Sequence, residues 1–206
     1  MGGELMQLIP ETNSIDSYLE SSDVIDFFNP NIQIVAQDLR RGRDDEVDLA
    51  RSCYEWVRDN VCHSFDINGI TVTCTASEVL QHREGICYAK GHLLAAILRY
   101  LGIPTGFCYQ KLVLDDSDLS RLVIHGLNAI FLKSLNRWIR VDARGNKEGV
   151  NAEFSTKEEK LAFPVRKDLG EIDYPIIYHK PNPKVVNVLK VSNTLEELRI
   201  NLPENL

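Results

Sequence analysis

The chain has 206 residues, 44% hydrophobic and 26% charged, with a net charge of −7. That length can bury a real core. The acidic balance argues against binding a phosphate backbone or an anionic membrane, both of which need basic surface, and no apolar run approaches the roughly 20 residues of a membrane span.

The first ten residues read as a loose arm. Met1-Gly2-Gly3-Glu4-Leu5 lacks the basic and apolar regions of a secretory signal, and Met6 stands where a myristoylation motif at Gly2 would want Ser or Thr. Residues 14–28 read as short structure covering the core. Asn29-Pro30-Asn31 reads as a break, followed by a short apolar–polar run from Gln33 to Leu39.

Residues 45–61 read as a helix capped by Asp44 or Asp45, with Val47, Ala50, Tyr54, Val57 and Val61 on one face. Residues 63–74 look irregular. Thr75 and Glu78 match a capping box at the start of another helix. Residues 86–101 carry two adjacent apolar stripes, so this helix is expected in the core. Gly102 and Pro104 end it.

The signal then switches to period two. Thr105 to Val113 reads as a strand and Asp115-Asp116-Ser117-Asp118 as an exposed loop. Leu122 to Leu132 and Trp138 to Ala143 read as a hairpin. Beyond Gly145 the chain is polar until Leu161-Ala162-Phe163-Pro164. Pro175, Pro181, Pro183 and Pro203 suggest an extended C-terminal arm, with a last helix over Leu195 to Ile200 capped by Asn193 or Thr194. Helices followed by an antiparallel sheet make an α+β pattern, read as one domain over 1–206 with its core at about 45–145.

Five cysteines, at 53, 62, 74, 87 and 108, show no metal-site spacing, and Cys62-His63 alone reads as packing. A reduced cytoplasmic protein is the simplest reading. Cys87 differs by position. It follows Glu84-Gly85 in the first turn of the core helix, where partial positive charge favours a thiolate and unpaired N–H groups can receive an oxyanion. Gly85 is expected to let the chain bend sharply into the helix, and Gly91 to leave room one turn on. Taken alone, a cysteine there still reads as a buried structural residue.

His125 interrupts an apolar strand, and Gly126 beside it marks a place where another group comes close. Asp142 ends the next strand. Sixteen residues separate the two, and in an antiparallel hairpin an even number allows direct opposition. That register pairs Leu127 with Arg140 and Ala129 with Trp138, around a turn at Lys133-Ser134 or a loop from Leu132 to Leu135. A bulge, or a turn centred on Leu135-Asn136, would defeat it. Thiol, imidazole and carboxylate together follow the logic of a nucleophile, its base and the group that orients the base. Lys90, Arg140 and Arg144 lie nearby in sequence and are expected to be solvated or paired with acids rather than to hold a substrate.

Tyr54 to Val61, Thr75 to Leu80 followed by Glu84-Gly85-Ile86-Cys87, Gly91 to Pro104, His125, and Trp138 to Asp142 occur in an order that resembles the transglutaminase-like superfamily of papain-related folds. The resemblance implies a cysteine-protease-like α+β fold, with the nucleophile on a central buried helix packed on an antiparallel sheet. It implies a Cys87–His125–Asp142 triad, no metal and no organic cofactor. It also implies a peptide or protein substrate, with an amine as the alternative acceptor. The chain departs from the family pattern at Gly126-Leu127, where Ala-Trp is frequent, and at Tyr88, where a polar or basic residue is frequent. The expected activity is hydrolysis of an amide, since none of the added domains or calcium loops of large animal transglutaminases is visible. Acyl transfer to an amine and a catalytically idle binding module with the terminal segments over the site are the alternatives. Deglycosylation of glycopeptides or arylamine acetylation would use the same thiol chemistry.

Overall fold

The computed structural model describes residues 6–206. The readings made on Met1 to Leu5, Gly2 included, lie outside the described residues. In chain order the elements are β1 (Ile9–Pro10), α1 (Pro30–Arg40), α2 (Glu46–Asn60), β2 (Cys62–His63), α3 (Ala76–His82), β3 (Glu84–Gly85), α4 (Cys87–Tyr100), β4 (Thr105–Asp115), β5 (Asp118–Leu132), β6 (Arg137–Val141), β7 (Ile172–Asp173), β8 (Ile176–Ile177), α5 (Pro183–Val191) and α6 (Leu195–Ile200).

The α4 helix is the axis of the core. Every residue from Tyr88 to Arg99 is buried, as expected of a helix apolar around most of its circumference. Around it, α2 is capped by Asp45, whose carboxylate accepts from the Asp48 N–H, and buries Leu49, Ala50, Cys53, Tyr54 and Val57. The Thr75–Glu78 capping box forms as predicted and starts α3. Asn29-Pro30 is not a break but a helix start. The Asn29 side chain accepts from the Asn31 N–H, Pro30 takes the first helical position, and α1 buries Ile32 and Ala36 against the core.

β4, β5, β6 and β7 form an antiparallel sheet in the order β6-β5-β4-β7. On one face it meets α4: the Asn128 amide donates to Gly91 O at 3.1 Å, and the Tyr88 ring lies against Gly126. On the other face Tyr18 and Ile177 pack on Cys108, Leu127 and Ala129. In this way segments from both ends of the chain close the sheet, and β1 pairs in parallel with β8.

Two expectations need correction. The hairpin register pairs Ala129 with Arg140 and Phe131 with Trp138, not Leu127 with Arg140 and Ala129 with Trp138. Lys133–Leu135 forms a single 3-10 turn, and Asn136 closes it with φ 48°, a conformation Asn tolerates better than most residues. The four-residue loop is therefore 133–136, one residue later than expected, and the pairing slides by two. In addition, the C-terminal region is not simply extended. Asn182-Pro183 starts α5 in the manner of Asn29-Pro30, and Thr194 caps α6 as predicted.

Candidate active site

Three local structures meet at one cleft of about 720 Å³, whose walls include His63, Cys87, His125, Arg144 and Phe163. The first is the start of α4. Cys87 is the first helical residue, and Ile86 before it offers no side-chain cap. The backbone N–H groups of that first turn therefore keep their hydrogen-bonding capacity. Gly85 serves close packing here. A Cβ on it would lie 3.0 Å from Thr73 Oγ1 and 3.1 Å from Ala89 Cβ. Its φ is not positive, so the sharp bend expected of it is not what requires glycine.

The second is the His125–Asp142 pair. His125 Nε2 donates to Asp142 Oδ2 at 2.7 Å. Asp142 is 1% exposed. Its carboxylate also accepts from the backbone N–H groups of Arg144 (3.1 Å) and Ala162 (3.3 Å). Burial alone would raise the Asp142 carboxyl. The His125 charge and these three hydrogen bonds outweigh it and hold the group below the usual carboxylate range. For His125, burial works to lower the pKa. The Asp142 charge, then Cys87 as charge and hydrogen-bond partner, overcome it and raise the ring to about 10. Since Nε2 is committed to Asp142, Nδ1 is the nitrogen left to exchange a proton with a thiol.

The third is a cover that the sequence did not disclose. The segment ending at Leu161-Ala162-Phe163-Pro164 folds back over the pair. The Phe163 ring meets His125 edge-on at 5.3 Å, and the Arg144 guanidinium lies 5.7 Å from the Phe163 ring centre. Arg144 itself is held by Asp66 at 2.6 and 2.8 Å. The C-terminal segment forms another part of the rim. Leu202 and Arg199 line the cleft, and the Ile124 N–H donates to Pro203 O at 2.7 Å.

The other cysteines contrast with Cys87. Cys53 and Cys108 are fully enclosed, and burial pushes both thiols up to about 12. Burial takes Cys74 to about 11. Cys62 is exposed and does not line the cleft that holds Cys87. Of the nearby cations, Arg140 and Arg144 are paired with acids, as expected. Arg140 is clamped between Glu159 and Asp173. Lys90 is not. It is buried and donates to the carbonyls of Arg58 and Val61. Among the described residues, no three His, Cys, Asp or Glu side chains are grouped to hold a metal ion, and no helix is long and apolar enough to cross a membrane.

Residues 33–143 match the family model described as the transglutaminase-like superfamily. The chain belongs to that superfamily. One solved structure agrees at the level of the fold. A cysteine protease candidate from Cytophaga hutchinsonii superposes with a TM-score of 0.52 at 20% identity, over 68% of this chain and 46% of that one. The periplasmic domain of TgpA from Pseudomonas aeruginosa gives 0.45 at 17% identity, over 61% of this chain and 45% of that one. The chain thus spans under half the length of either structure. Among curated proteins, none matches. Cysteine-based catalysis is the chemistry the superfamily supports. Within this chain Tyr88 and Gly126 are in contact across the helix–sheet boundary.

Proposed function

We propose that the protein hydrolyses an amide or peptide bond through a thioester on Cys87, with His125 as base and Asp142 as the group that orients it. One observation carries the reading: an uncapped helix N-terminus bearing a thiol shares a cleft with a buried, hydrogen-bonded His–Asp pair. His125 Nδ1 takes the thiol proton, and sulfur attacks the substrate carbonyl. The carbonyl oxygen becomes an oxyanion facing the free N–H of Cys87, a donor that needs no rearrangement when charge develops. As the C–N bond breaks, the imidazolium returns its proton to the departing amine. Water, deprotonated by His125, then attacks the thioester, and the acid leaves as the thiol reforms.

Hydrolysis is favoured over transfer because the cleft is broad and Cys87 is only half-buried, so water reaches the acyl group. A peptide or protein chain is the substrate class that fits such a groove. The five unpaired thiols favour a reducing, cytoplasmic setting. A screen of peptide and amide libraries, with and without an amine acceptor, tests the reading. We expect wild type to release free acid and both Cys87→Ala and His125→Ala to release none. Product dominated by the amine adduct would replace hydrolysis with transfer, and undiminished turnover by Cys87→Ala would sink the nucleophile.

A further inference from the structure

The strand that carries His125 has an open edge beside the cleft. On the side away from β4, β6 pairs with β5 only from Asn128 to Leu132. Among the described residues, no strand pairs with that side of β5 from Leu122 to Gly126. Such an edge is a template for an extended chain, because its N–H and C=O groups point outward. One of these groups is already taken. The N–H of Ile124, the residue before His125, donates to Pro203 O at 2.7 Å.

Segment 201–206 of the chain therefore lies where an extended peptide could pair. Leu202 is 7% exposed and lines the same cleft as Cys87 and His125. Just upstream, Arg199 reaches both rims. Its guanidinium is 5.8 Å from the Phe65 ring centre and 3.5 Å from Asp115 Oδ2. The pairing is incomplete, however. Proline has no N–H with which to return a bond to the strand, and Ile124 O accepts from the Tyr88 hydroxyl instead. A carbonyl oxygen has two lone pairs. In an antiparallel pairing, a peptide residue with an N–H can add the bond that Pro203 lacks.

The segment is also lightly tied. Leu198 roots α6 in the core, and beyond it only Leu202 is buried and Leu206 partly so. The other side-chain ties come from exposed cations. Arg121 Nη2 donates to Arg199 O and Ile200 O at 2.9 and 2.7 Å. Lys111 Nζ donates to Asn205 Oδ1 at 3.0 Å, and Lys184 Nζ to Asn205 O and Leu206 O at 3.3 and 3.1 Å. Exposed contacts of this kind contribute little, and a segment held by them opens at low cost. The segment lies outside residues 33–143, the part that matches the superfamily model.

We propose that segment 201–206 is a self-inhibiting strap, which holds the β5 edge at Ile124 against an extended peptide that would place an apolar side chain where Leu202 now sits. The inference rests on Cys87 being the nucleophile. Water and small molecules pass the strap, since Cys87 is half-buried in a cleft of about 720 Å³. A peptide aligned along β5 has to displace it. Peptide affinity is then reduced by the fraction of molecules in which the strap is open.

Two alkylating probes separate this role from a structural one. With iodoacetamide and with acetyl-Leu-Ala-Ala chloromethyl ketone alike, the S–C bond forms, the halide leaves and the thiol proton passes to His125. Only the peptidyl probe needs the edge. Leu202→Glu puts a charge where the strap is buried. An open state populated at about 10% or less leaves at least about a tenfold gain to be released. We therefore expect Leu202→Glu to raise peptidyl labelling of Cys87 by at least about tenfold, with iodoacetamide labelling within about twofold of wild type. Both rates are read at Cys87 by mass spectrometry. Arg121→Ala combined with Lys184→Ala alters exposed groups only. It should raise the same ratio of rates in smaller measure, and it carries the test should Leu202→Glu misfold. A synthetic peptide of residues 199–206, added to Leu202→Glu, should slow peptidyl labelling back toward the wild-type rate. The same peptide with glutamate in place of its leucine at 202 should not. An unchanged or lower ratio in both variants would overturn the proposal, and so would indifference to the added peptide. A wild-type Cys87 no more reactive toward iodoacetamide than the exposed Cys62 would instead overturn the nucleophile, and the strap with it.

Discussion

His125 and Asp142 are joined by a 2.7 Å hydrogen bond although the sheet does not set them directly across from each other. Asn128 pairs with Val141, the last residue of β6, so one step further along the same register Asp142 falls beside Leu127. His125 is two residues away on the same face. Diagonal neighbours of this kind are about 7–8 Å apart, within reach of an imidazole and a carboxylate that lean toward each other. Asp142 lies just past the end of β6, where its backbone is free to turn. Its own carboxylate accepts from the Arg144 N–H two residues on, a local turn that aims the other oxygen at His125.

This pair sets a pH dependence for folding. The His125 ring is raised from 6.5 to about 10, so the folded protein holds that proton more tightly than the unfolded chain does. The stabilisation is complete below pH 6.5 and disappears as pH rises through about 10. Asp142, held below its ordinary value, contributes above pH 3.8 and loses its contribution as pH falls through the lower folded value. Urea midpoints of wild type and His125→Gln should differ most at pH 5–6 and converge toward pH 10. Asp142→Asn should flatten the dependence. A gap between wild type and His125→Gln that widens from pH 7 to 10 would contradict the assigned direction.

Tyr88 and Gly126 give a second expectation. A Cβ on Gly126 would fall 2.7 Å from Tyr88 Cδ1, closer than real contacts allow. Tyr88 has little freedom to yield, because it is buried and its hydroxyl donates to Ile124 O. Gly126→Ala should therefore cost about 1–3 kcal/mol, the usual range for overpacking. It should also slow Cys87 alkylation, because Tyr88 moves its neighbour. Shrinking the ring should relieve the clash, so Tyr88→Leu with Gly126→Ala should be less damaging than the two single costs summed. Strict additivity in a double-mutant cycle would show that the contact does not govern either effect.

The parts of this molecule legible in its sequence are those written by local chemistry. The apolar run of α4, the Thr75–Glu78 box and the period-two strands name their own structure. The same holds for Cys87 at a helix start and for the glycine beside His125, since a close approach there follows from the missing side chain alone. Asn29-Pro30 and Asn182-Pro183 were also local signals. Asparagine as cap with proline at the first helical position opens both α1 and α5, yet the pair reads equally well as a turn. What local chemistry does not write is pairing at a distance. Nothing in Cys62-His63 announces that it will run parallel to Glu84-Gly85, and nothing in Phe163 announces that it will lie on His125. The hairpin register differs for a related reason: a one-residue shift in the turn's position decides it, and Lys133 to Asn136 carries no glycine to mark the place.

Lys90 supplies the third prediction, again through a contact at a distance. Continuing α2 would have the Cys62 N–H donate to Arg58 O, but that N–H donates to Arg83 O at 2.9 Å to build the β2–β3 bridge. Arg58 O is left for Lys90 Nζ, 3.2 Å away, and Val61 O accepts from the same ammonium. A cation at the carbonyl end of a helix is favourably placed. Burial nonetheless lowers the Lys90 pKa from 10.5 to about 8, so here the unfolded chain holds the proton more tightly. The sign is opposite to that of His125: the stability of wild type relative to Lys90→Met should rise as pH increases from 8 to 10.5. At neutral pH the variant gains by not burying a charge and loses by leaving two carbonyls without a donor. The local consequence is less ambiguous than the global one. Freed from Lys90, the end of α2 should loosen, and amide exchange at Cys62 and Ser64, the two N–H groups that stitch β2 to β3, should accelerate. Unchanged exchange there would mean that the bridge holds itself, and that Lys90 has no part in placing β2 beside β3.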